Sequence, residues 1–189
     1  STAIIAAVAA LPLAILTVRY KSRVGEICES VAWSLYALPH LTVGLSVLLV
    51  GLTVVTGLYQ TLPLLLFAYL IMFLPQALGP TQAALGRVSP SLEEASRSLG
   101  KTALATARRI TVPLVGRGML AGAGLVFLTT MKELPATLLL RPTEFETLAV
   151  RIWSTTSEGF YTRAAVAALI LLAVSAVPLY VLVSRNTHE

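Results

Sequence analysis

The sequence carries little charge. Of its 189 residues, 12% are charged and 56% are hydrophobic, whereas a soluble domain usually contains about 25% charged residues. So few charges leave too little polar surface to cover a globule in water. The composition therefore excludes a soluble enzyme and a disordered tail.

Cysteine and histidine are also scarce. Cys28 is the single cysteine, which excludes an internal disulfide and a disulfide-stapled secreted module. The two histidines, His40 and His188, have no nearby nucleophile in a recognisable arrangement, and no group of His, Cys or carboxylates has metal-ligand spacing. We therefore expect no catalytic residue, no metal and no cofactor bound by this chain. His40, beside Pro39, is expected to be a helix-end residue.

Charge-free runs predict the membrane spans. Residues 1–18 lack any charge, and so do the 57 residues from Ser30 to Gly86. One crossing needs roughly 20 residues, so the longer run must contain two spans. The segment Tyr59-Gln60-Thr61-Leu62-Pro63 is expected to separate them. The sequence predicts an all-α membrane protein with a single transmembrane domain over 1–189 and no alternating strand pattern. The five predicted spans are 1–18, 39–58, 62–79, 114–131 and 164–184.

The basic residues divide unequally between the two sides of these spans. Ten lie on one side: Arg19, Lys21, Arg23, Arg87, Arg97, Lys101, Arg108, Arg109, Arg117 and Arg185. Four lie on the other: Lys132, Arg141, Arg151 and Arg163. The positive-inside rule places the first set in the cytoplasm, so the N-terminal end is expected outside and the C-terminus inside. The 14 Lys and Arg are too diluted among apolar runs to bind nucleic acid.

The beginning of the sequence suggests a piece of a longer chain. Its first residue is Ser1, and an apolar run follows at once. Residues 1–18 do not resemble a signal peptide, because no basic segment precedes them.

The cytoplasmic loop 80–113 is the most informative segment. Ser91 is expected to cap a helix that runs through Leu99, and Gly100 separates it from a second short helix, 101–110, ended by Pro113. Such a protruding pair of helices suggests a docking element for a cytoplasmic partner. Elsewhere, Gly118-x-x-x-Gly122 predicts close helix packing in the membrane.

The loop also carries a specific spacing of residues. Glu94-Ala95-Ser96, three residues, Gly100, nine residues, Ile110, one residue and Val112-Pro113 resemble the EAA loop, E-A-A-x3-G-x9-I-x-L-P. That loop marks the membrane subunits of ATP-binding cassette importers that work with a substrate-binding protein. Ser96 and Val112 depart from the pattern by small or isosteric changes. The five spans around the loop are also similar to that family's core fold.

The resemblance implies a mechanism and partners. The loop would seat in a groove on a cytoplasmic ATPase subunit, which binds ATP and Mg. Closure of two such ATPase subunits on ATP would switch the helix bundle from inward-facing to outward-facing. The residues implied in this coupling are Glu94, Ala95, Ser96, Gly100, Ile110 and Pro113. Further implied partners are a periplasmic binding protein, a second permease half and the lipid of the bacterial inner membrane. Hydrolysis would belong to the ATPase, not to this chain.

The outer segment 132–163 holds a candidate pathway element. Only 14 uncharged residues separate Arg117 from Lys132, Pro135 is expected to break the helix, and an apolar stretch returns after it. A charged residue at a broken helix is typical of transport pathways, which makes Glu133 and Pro135 candidates for a pathway or gate. The alternative is that Lys132 and Glu133 are ordinary interfacial anchors.

The same segment suggests a substrate. The run Met131–Pro142, with Thr147-Leu148-Ala149 and Ile152-Trp153, is similar to ferric-iron permeases, and in particular to their second half. Permeases for thiamine, polyamines, sulfate or phosphonates share the fold and remain alternatives. An intramembrane enzyme would need a nucleophile and a base, and the sequence shows no recognisable arrangement of the two. A secondary transporter would need inverted repeats and mid-membrane acids, and the charge-free spans disfavour both.

Overall fold

A computed structural model describes residues 2–186, with side chains through Pro178 and at Tyr180. Within these residues, every regular element is helical, as the sequence predicts. The α-helices are α1 (Thr2–Ala14), α2 (Arg23–Tyr36), α3 (His40–Thr53), α4 (Leu62–Gly86), α5 (Pro90–Ser98), α6 (Ala103–Thr106), α7 (Val112–Lys132), α8 (Pro135–Leu140), α9 (Leu148–Ser157) and α10 (Tyr161–Asn186). Ser1 and residues 187–189, which include His188 and the C-terminus, lie outside the described residues.

Four helical stretches of the described chain are long and apolar enough to cross a membrane. They are Thr2–Arg19, Leu62–Gly86, Ala103–Lys132 and Tyr161–Pro178. The pair α2 and α3, bent by 111° at the break between them, gives a fifth crossing if it counts as one span. The helices therefore provide four or five spans, which agrees with the all-α membrane class that the sequence predicts.

The predicted second span, 39–58, is too long. The helix α3 ends at Thr53, and only a short 3₁₀ turn at Thr56–Leu58 follows. Four β-branched residues, 53–56, stand at this end, and such residues lose side-chain freedom in a helix. At about 1.5 Å per residue, the 14 residues of α3 reach roughly 21 Å, less than the roughly 30 Å of a bilayer core.

The segment 19–38, which separates the first two predicted spans, is not a loop. It contains α2, a helix of 14 residues, entered through Lys21 in the left-handed region at φ 44°. The Ser22 hydroxyl accepts a hydrogen bond from the Gly25 amide at 3.0 Å, which satisfies one of the free donors at the start of the helix.

Pro113 does not end the helix before it, contrary to the sequence prediction. A continuous helical stretch runs from Ala103 to Lys132, with a π-helical turn at Ala107–Thr111. The Val112 amide donates to the Ala107 carbonyl, five residues back, so the hydrogen-bond register has shifted before the proline, which has no N–H, is reached. Pro80 likewise lies inside α4, which continues to Gly86 rather than ending near residue 79.

The described residues form two compact units, each drawn from two separate parts of the chain. The first comprises 3–34 and 73–126. Its core is formed by fully buried side chains of α4 and α7: Phe73, Leu78, Leu85, Val115 and Val126. The prediction of one permease domain over 1–189 is not decided by this division and stays a prediction.

Glycines let α7 approach α4 closely in the first unit. A Cβ on Gly122 would lie 2.8 Å from the Ala77 carbonyl oxygen, and one on Gly118 would lie 2.5 Å from the Pro80 carbonyl oxygen. Real Cβ atoms do not come so near to backbone atoms, so only glycine allows this separation. The close helix packing predicted from Gly118-x-x-x-Gly122 is confirmed.

The second unit comprises 35–72 and the described residues from 127 onward. In it, α8 packs against α3 and α9 against α10, and Gly44 faces Ala136 so closely that a Cβ would lie 3.0 Å from the Ala136 Cα. Leu65 and Met72 of α4 are buried in this unit. In contrast, α10 exposes large apolar side chains such as Leu169 and Leu172, as a lipid-facing helix does.

Candidate functional site

The turn between α5 and α6 is built by Gly100. Gly100 has φ +79°, a conformation that costs a residue with a Cβ roughly 1–2 kcal/mol. Its amide donates to the Arg97 carbonyl at 3.0 Å, and the Lys101 amide donates to the Ser96 carbonyl at 3.2 Å. These two bonds are the Schellman arrangement that ends a helix at a glycine. The glycine therefore fixes the angle at which the chain leaves α5.

The second helix of the loop begins at a side-chain cap. The Thr102 hydroxyl accepts a hydrogen bond from the Ala105 amide at 3.2 Å. Across the turn, the Ser96 and Thr106 hydroxyls lie 2.9 Å apart, and both residues are buried. The two short helices are thus joined by the glycine turn and by one buried hydroxyl pair.

Glu93 links this pair of helices to the neighbouring helical ends of the first unit. Its carboxylate lies 3.3 Å from Arg19 Nε and accepts a hydrogen bond from the Thr111 hydroxyl at 3.1 Å. Arg19 Nη2 also donates to the Val88 carbonyl at 2.7 Å. Arg19 ends the π-helical turn Ile15–Arg19, and Thr111 ends the turn Ala107–Thr111. These side chains line a cavity of about 370 Å³ beside α5.

The helix break after α7 is organised by a second buried carboxylate. The Glu133 side chain is fully buried and accepts hydrogen bonds from the amides of Ala136 at 3.0 Å and Thr137 at 2.9 Å. The Thr137 hydroxyl also donates to it, while the Tyr69 hydroxyl lies 2.6 Å from that hydroxyl. The carboxylate thereby satisfies free amides at the start of α8, where the helix dipole favours negative charge.

His40 lies on the other side of Glu133. It is the first residue of α3, as expected of a helix-end residue, and its Nδ1 is 4.0 Å from the carboxylate. Among the residues that the structure describes, no three His, Cys, Asp or Glu side chains come together as metal ligands.

Residues 3–188 match the model of one family, the binding-protein-dependent transport system inner membrane component. The chain belongs to this family. The family predicted from the sequence is therefore confirmed, and the protein is a multi-pass inner-membrane permease component. The assignment of Glu94–Pro113 to the EAA loop stays a prediction.

Several curated permeases resemble this permease chain. It is 34% identical over 180 residues to the Fe(3+)-transport system permease protein FbpB 2 of Haemophilus influenzae, covering 95% of the chain and 36% of that protein. It is 28% identical over 139 residues to a putative 2-aminoethylphosphonate transport system permease protein, PhnV, of Salmonella typhimurium, covering 74% of the chain and 52% of the relative. A probable molybdenum ABC transporter permease protein of Haloferax volcanii is 37% identical over 110 residues, covering 57% of the chain and 40% of the relative. The permease chain thus spans between about a third and about half of these relatives.

The predicted coupling residues of the permease fall into two groups. Glu94, Ala95, Gly100 and Pro113 are exposed. Ser96 is buried against Thr106, and Ile110, in the π-helical turn, is half-buried. Among the described residues, Glu94 is in neither of the two ion pairs and does not pair with the nearby Arg97. The cap of α5 is Ser89, not the predicted Ser91, because Pro90 occupies the first helical position.

Sequence reasoning about the permease missed Glu93, Arg19 and Thr111. Glu93 stands immediately before the motif, and its partners are 74 and 18 residues away along the chain. Acidic residues are common in the first turn of a helix because they interact favourably with the helix dipole. Glu93 therefore needed no side-chain partner to explain its position in the sequence. The one signal in the sequence is Arg19, a positive charge directly after the charge-free residues 1–18, which could have suggested that a carboxylate lies near it in the folded protein.

Proposed function

We propose that this permease chain is a transmembrane subunit of an ATP-driven importer. It passes substrate from a periplasmic binding protein to the cytoplasm by alternating access, coupled to ATPase subunits that bind ATP and Mg. The observation that supports this best is the helix pair α5–α6, whose glycine turn presents the residues of the family's coupling motif. The chain itself binds no cofactor and carries no catalytic residue in this proposal.

The surface of the helix pair suits docking to a protein. Leu99 is 82% exposed and Leu104 is 80% exposed, and they lie on either side of Gly100. Exposed apolar side chains beside charged residues such as Glu94 are typical of a binding surface. Closure of two ATPase subunits would move this surface, and the movement would shift the balance of permease states only through a difference in affinity for them.

The proposed orientation follows the basic residues. The loop between α4 and α7 faces the cytoplasm together with the C-terminus, and the segment after Lys132 faces the periplasm together with the N-terminal end of this piece. A second permease half, fused or separate, completes the pathway. The 36% share of the Haemophilus relative that the chain covers supports a longer whole protein.

Glu133 and Pro135 are proposed to shape the pathway or gate. Pro135 is the first residue of α8. The Glu133 carboxylate fixes this helix start by accepting hydrogen bonds from two of its amides. Because both carboxylate oxygens are engaged, we propose that Glu133 fixes the position of the broken helix rather than binding a cation directly.

Ferric iron is the proposed substrate. It is supported by the name and the 34% identity of the Haemophilus permease over nearly the whole chain. Phosphonates are the alternative supported by the Salmonella relative, and the name of the Haloferax relative adds molybdenum. Thiamine, polyamines and sulfate remain further alternatives.

Docking is tested by co-purification of the full-length permease with its ATPase. We expect Glu94→Lys and Gly100→Val each to reduce the retained ATPase by about tenfold, which corresponds to a loss of about 1.4 kcal/mol. The matched controls are Glu26→Lys, at another exposed acid, and Gly57→Val, where a Cβ also meets nothing within 4 Å but φ is not positive. Retention at the control level in both variants would refute docking through this loop.

The substrate is tested by uptake of labelled ferric iron into vesicles that contain the assembled transporter and its binding protein. Uptake should require ATP and resist an excess of thiamine, 2-aminoethylphosphonate or molybdate. If one of these competitors is itself accumulated while iron is not, the iron assignment is wrong and the importer assignment stands.

A further inference from the structure

Glu93 occupies a different environment from its neighbour in the motif. Glu94 is exposed, whereas the Glu93 side chain is 21% exposed and the Arg19 side chain is 12% exposed. A charge pair that is partly withdrawn from water is less screened by salt than a surface pair. Glu93 therefore faces the permease's own helices, and Glu94 faces outward.

The contacts of Glu93 converge from three parts of the first unit. Glu93 itself lies in the first turn of α5. Arg19 ends the helical stretch Thr2–Arg19, a candidate membrane span. Thr111 belongs to the stretch Ala103–Lys132, another candidate span. One carboxylate thus contacts the last residue of one apolar helix and a buried hydroxyl of another.

Arg19 strengthens this link through its second contact. Its Nη2 donates at 2.7 Å to the carbonyl of Val88, which lies between α4 and α5. The guanidinium group therefore holds both the entry to α5 and its first turn, and its planar set of donors suits two acceptors at fixed angles. Arg19, Glu93 and Thr111 are hereafter called the Glu93 link.

Both helical partners reach Glu93 from π-helical turns. Ile15–Arg19 and Ala107–Thr111 are each five residues long, and a π-turn rotates the residues that follow it relative to an α-helix. The turns place Arg19 and Thr111 at the same carboxylate. A π-turn also loosens the local hydrogen-bond pattern, so a side-chain tie at its end limits bending there.

We propose that the Glu93 link is a positioning device that transmits movement of the docking helix to the membrane helices. This inference rests on the proposed function, because it presumes that an ATPase moves α5. Glu93 does not touch the ATPase in this proposal. It fixes α5 to the ends of two spans, so that docking and transmission depend on different acids of the same helix turn.

Transmission is tested in the full transporter, reconstituted in lipid nanodiscs with its ATPase. The readout is the stimulation of ATP hydrolysis by iron-loaded binding protein, with the retained ATPase measured on the same sample. Glu93→Gln keeps the size of the side chain and removes its charge. We expect stimulation to fall by about fivefold or more, the range of coupling between sites, while retention of the ATPase stays within about twofold.

The pair is then examined by a double-mutant cycle. Arg19→Met should lose stimulation as Glu93→Gln does, and the double variant should be no worse than either single variant, because the two residues act as one link. Arg19→Lys, which keeps a charged donor, should recover part of the stimulation. Glu26→Gln, an exposed acid of α2, is the control and should behave as the unaltered protein does.

Three outcomes would overturn the proposal. The first is normal stimulation in Glu93→Gln. The second is loss of the ATPase from that variant, which would make Glu93 a docking residue. The third is additive loss in the double variant, which would indicate two independent effects on folding. Failure of the proposed function would look different, because the unaltered complex would then retain no ATPase or show no stimulation.

Discussion

At Glu133, one carboxylate satisfies the start of a helix of only six residues. Such a short helix has little stability of its own, because helix nucleation is costly and few bonds follow it. The amides of Ala136 and Thr137 both donate to this carboxylate, and both residues are buried. The position of α8 therefore depends on this side chain more than on its own hydrogen bonds.

Replacing Glu133 with Ala should lower the free energy of unfolding by roughly 1–3 kcal/mol, the cost of leaving a buried donor without an acceptor. The measurement is thermal unfolding of the purified permease in detergent. Lys132→Ala, at the exposed neighbouring residue, is the control and should change the unfolding midpoint little. Equal midpoints for the two variants would contradict the capping role.

Gly122 offers a second test at the residue scale. Gly122→Ala places a Cβ against the backbone of Ala77, and the overpacking should cost about 1–3 kcal/mol. Gly116→Ala, in the same helix, meets nothing within 4 Å and should be neutral or slightly stabilising. Thermal unfolding of both variants checks the difference, and a Gly122→Ala protein as stable as the control would show that the two helices separate easily.

At the residue scale, the sequence predicted only those contacts that depend on the spacing of residues within one helix. The Gly118-x-x-x-Gly122 spacing correctly predicted close packing, since it depends on residues of one helix. The Glu93 link could not be predicted in this way, because Arg19 and Glu93 meet only after the chain has folded. The roles proposed for Glu94 and Gly100 in docking stay predictions.

At the scale of elements, the ends of the helices depend on single side chains. The helix α6 has four residues, and the side chain of its N-cap residue, Thr102, accepts a capping hydrogen bond. The N-cap residue of α5, Ser89, makes no such side-chain bond. The hydroxyls of Ser89 and Ser91 instead lie 2.7 Å from each other. A side-chain hydrogen bond therefore stabilises the start of α6 but not the start of α5.

Removal of the Thr102 hydroxyl should loosen the start of α6. Thr102→Ala is expected to lower local stability by about 0.5–2 kcal/mol, the usual cost of losing a cap. Hydrogen exchange at the amides of Ala105 and Thr106 measures this opening. Ser91→Ala, which removes a hydroxyl that caps no helix, should leave exchange in α6 unchanged. Equal exchange in the two variants would refute the cap.

Helices were predicted from sequence more reliably than their boundaries. Hydrophobic runs indicated four of the membrane-crossing stretches, since an apolar run of about 20 residues has few other stable forms in lipid. The same reasoning left α2 outside every predicted span, and it ended one helix at Pro113. A proline removes one donor, but a π-turn shifts the bonding before it, and spacing alone does not reveal that shift.

At the scale of the whole molecule, the distribution of charge predicts the orientation. The cytoplasmic set has ten basic residues against five acids, whereas the outer set has four against four. The net charge of +5 thus lies entirely on the predicted cytoplasmic side. The all-helical class followed from such global patterns and the family from the residue spacing in the loop 80–113, but the orientation stays a prediction.

Labelling of single cysteines tests the orientation in intact cells. Cys28 is first replaced by Ser, because it is exposed. A cysteine at Glu158, which is exposed, should then react with a membrane-impermeant maleimide from outside. A cysteine at Leu99 should react only after the membrane is opened. The reverse pattern would invert the topology, and with it the proposed site of ATPase docking.

The continuous helix from Ala103 to Lys132 has a mechanical consequence. Its 30 residues extend about 45 Å, while a bilayer core is about 30 Å thick, so part of this helix, with the proposed docking end, would project from the membrane. A hinged connector would convert a push at that end into local bending. In the proposed coupling, a rotation applied at that end would turn the side chains in the membrane as well, provided that the contact of Thr111 with Glu93 limits bending at the π-helical turn.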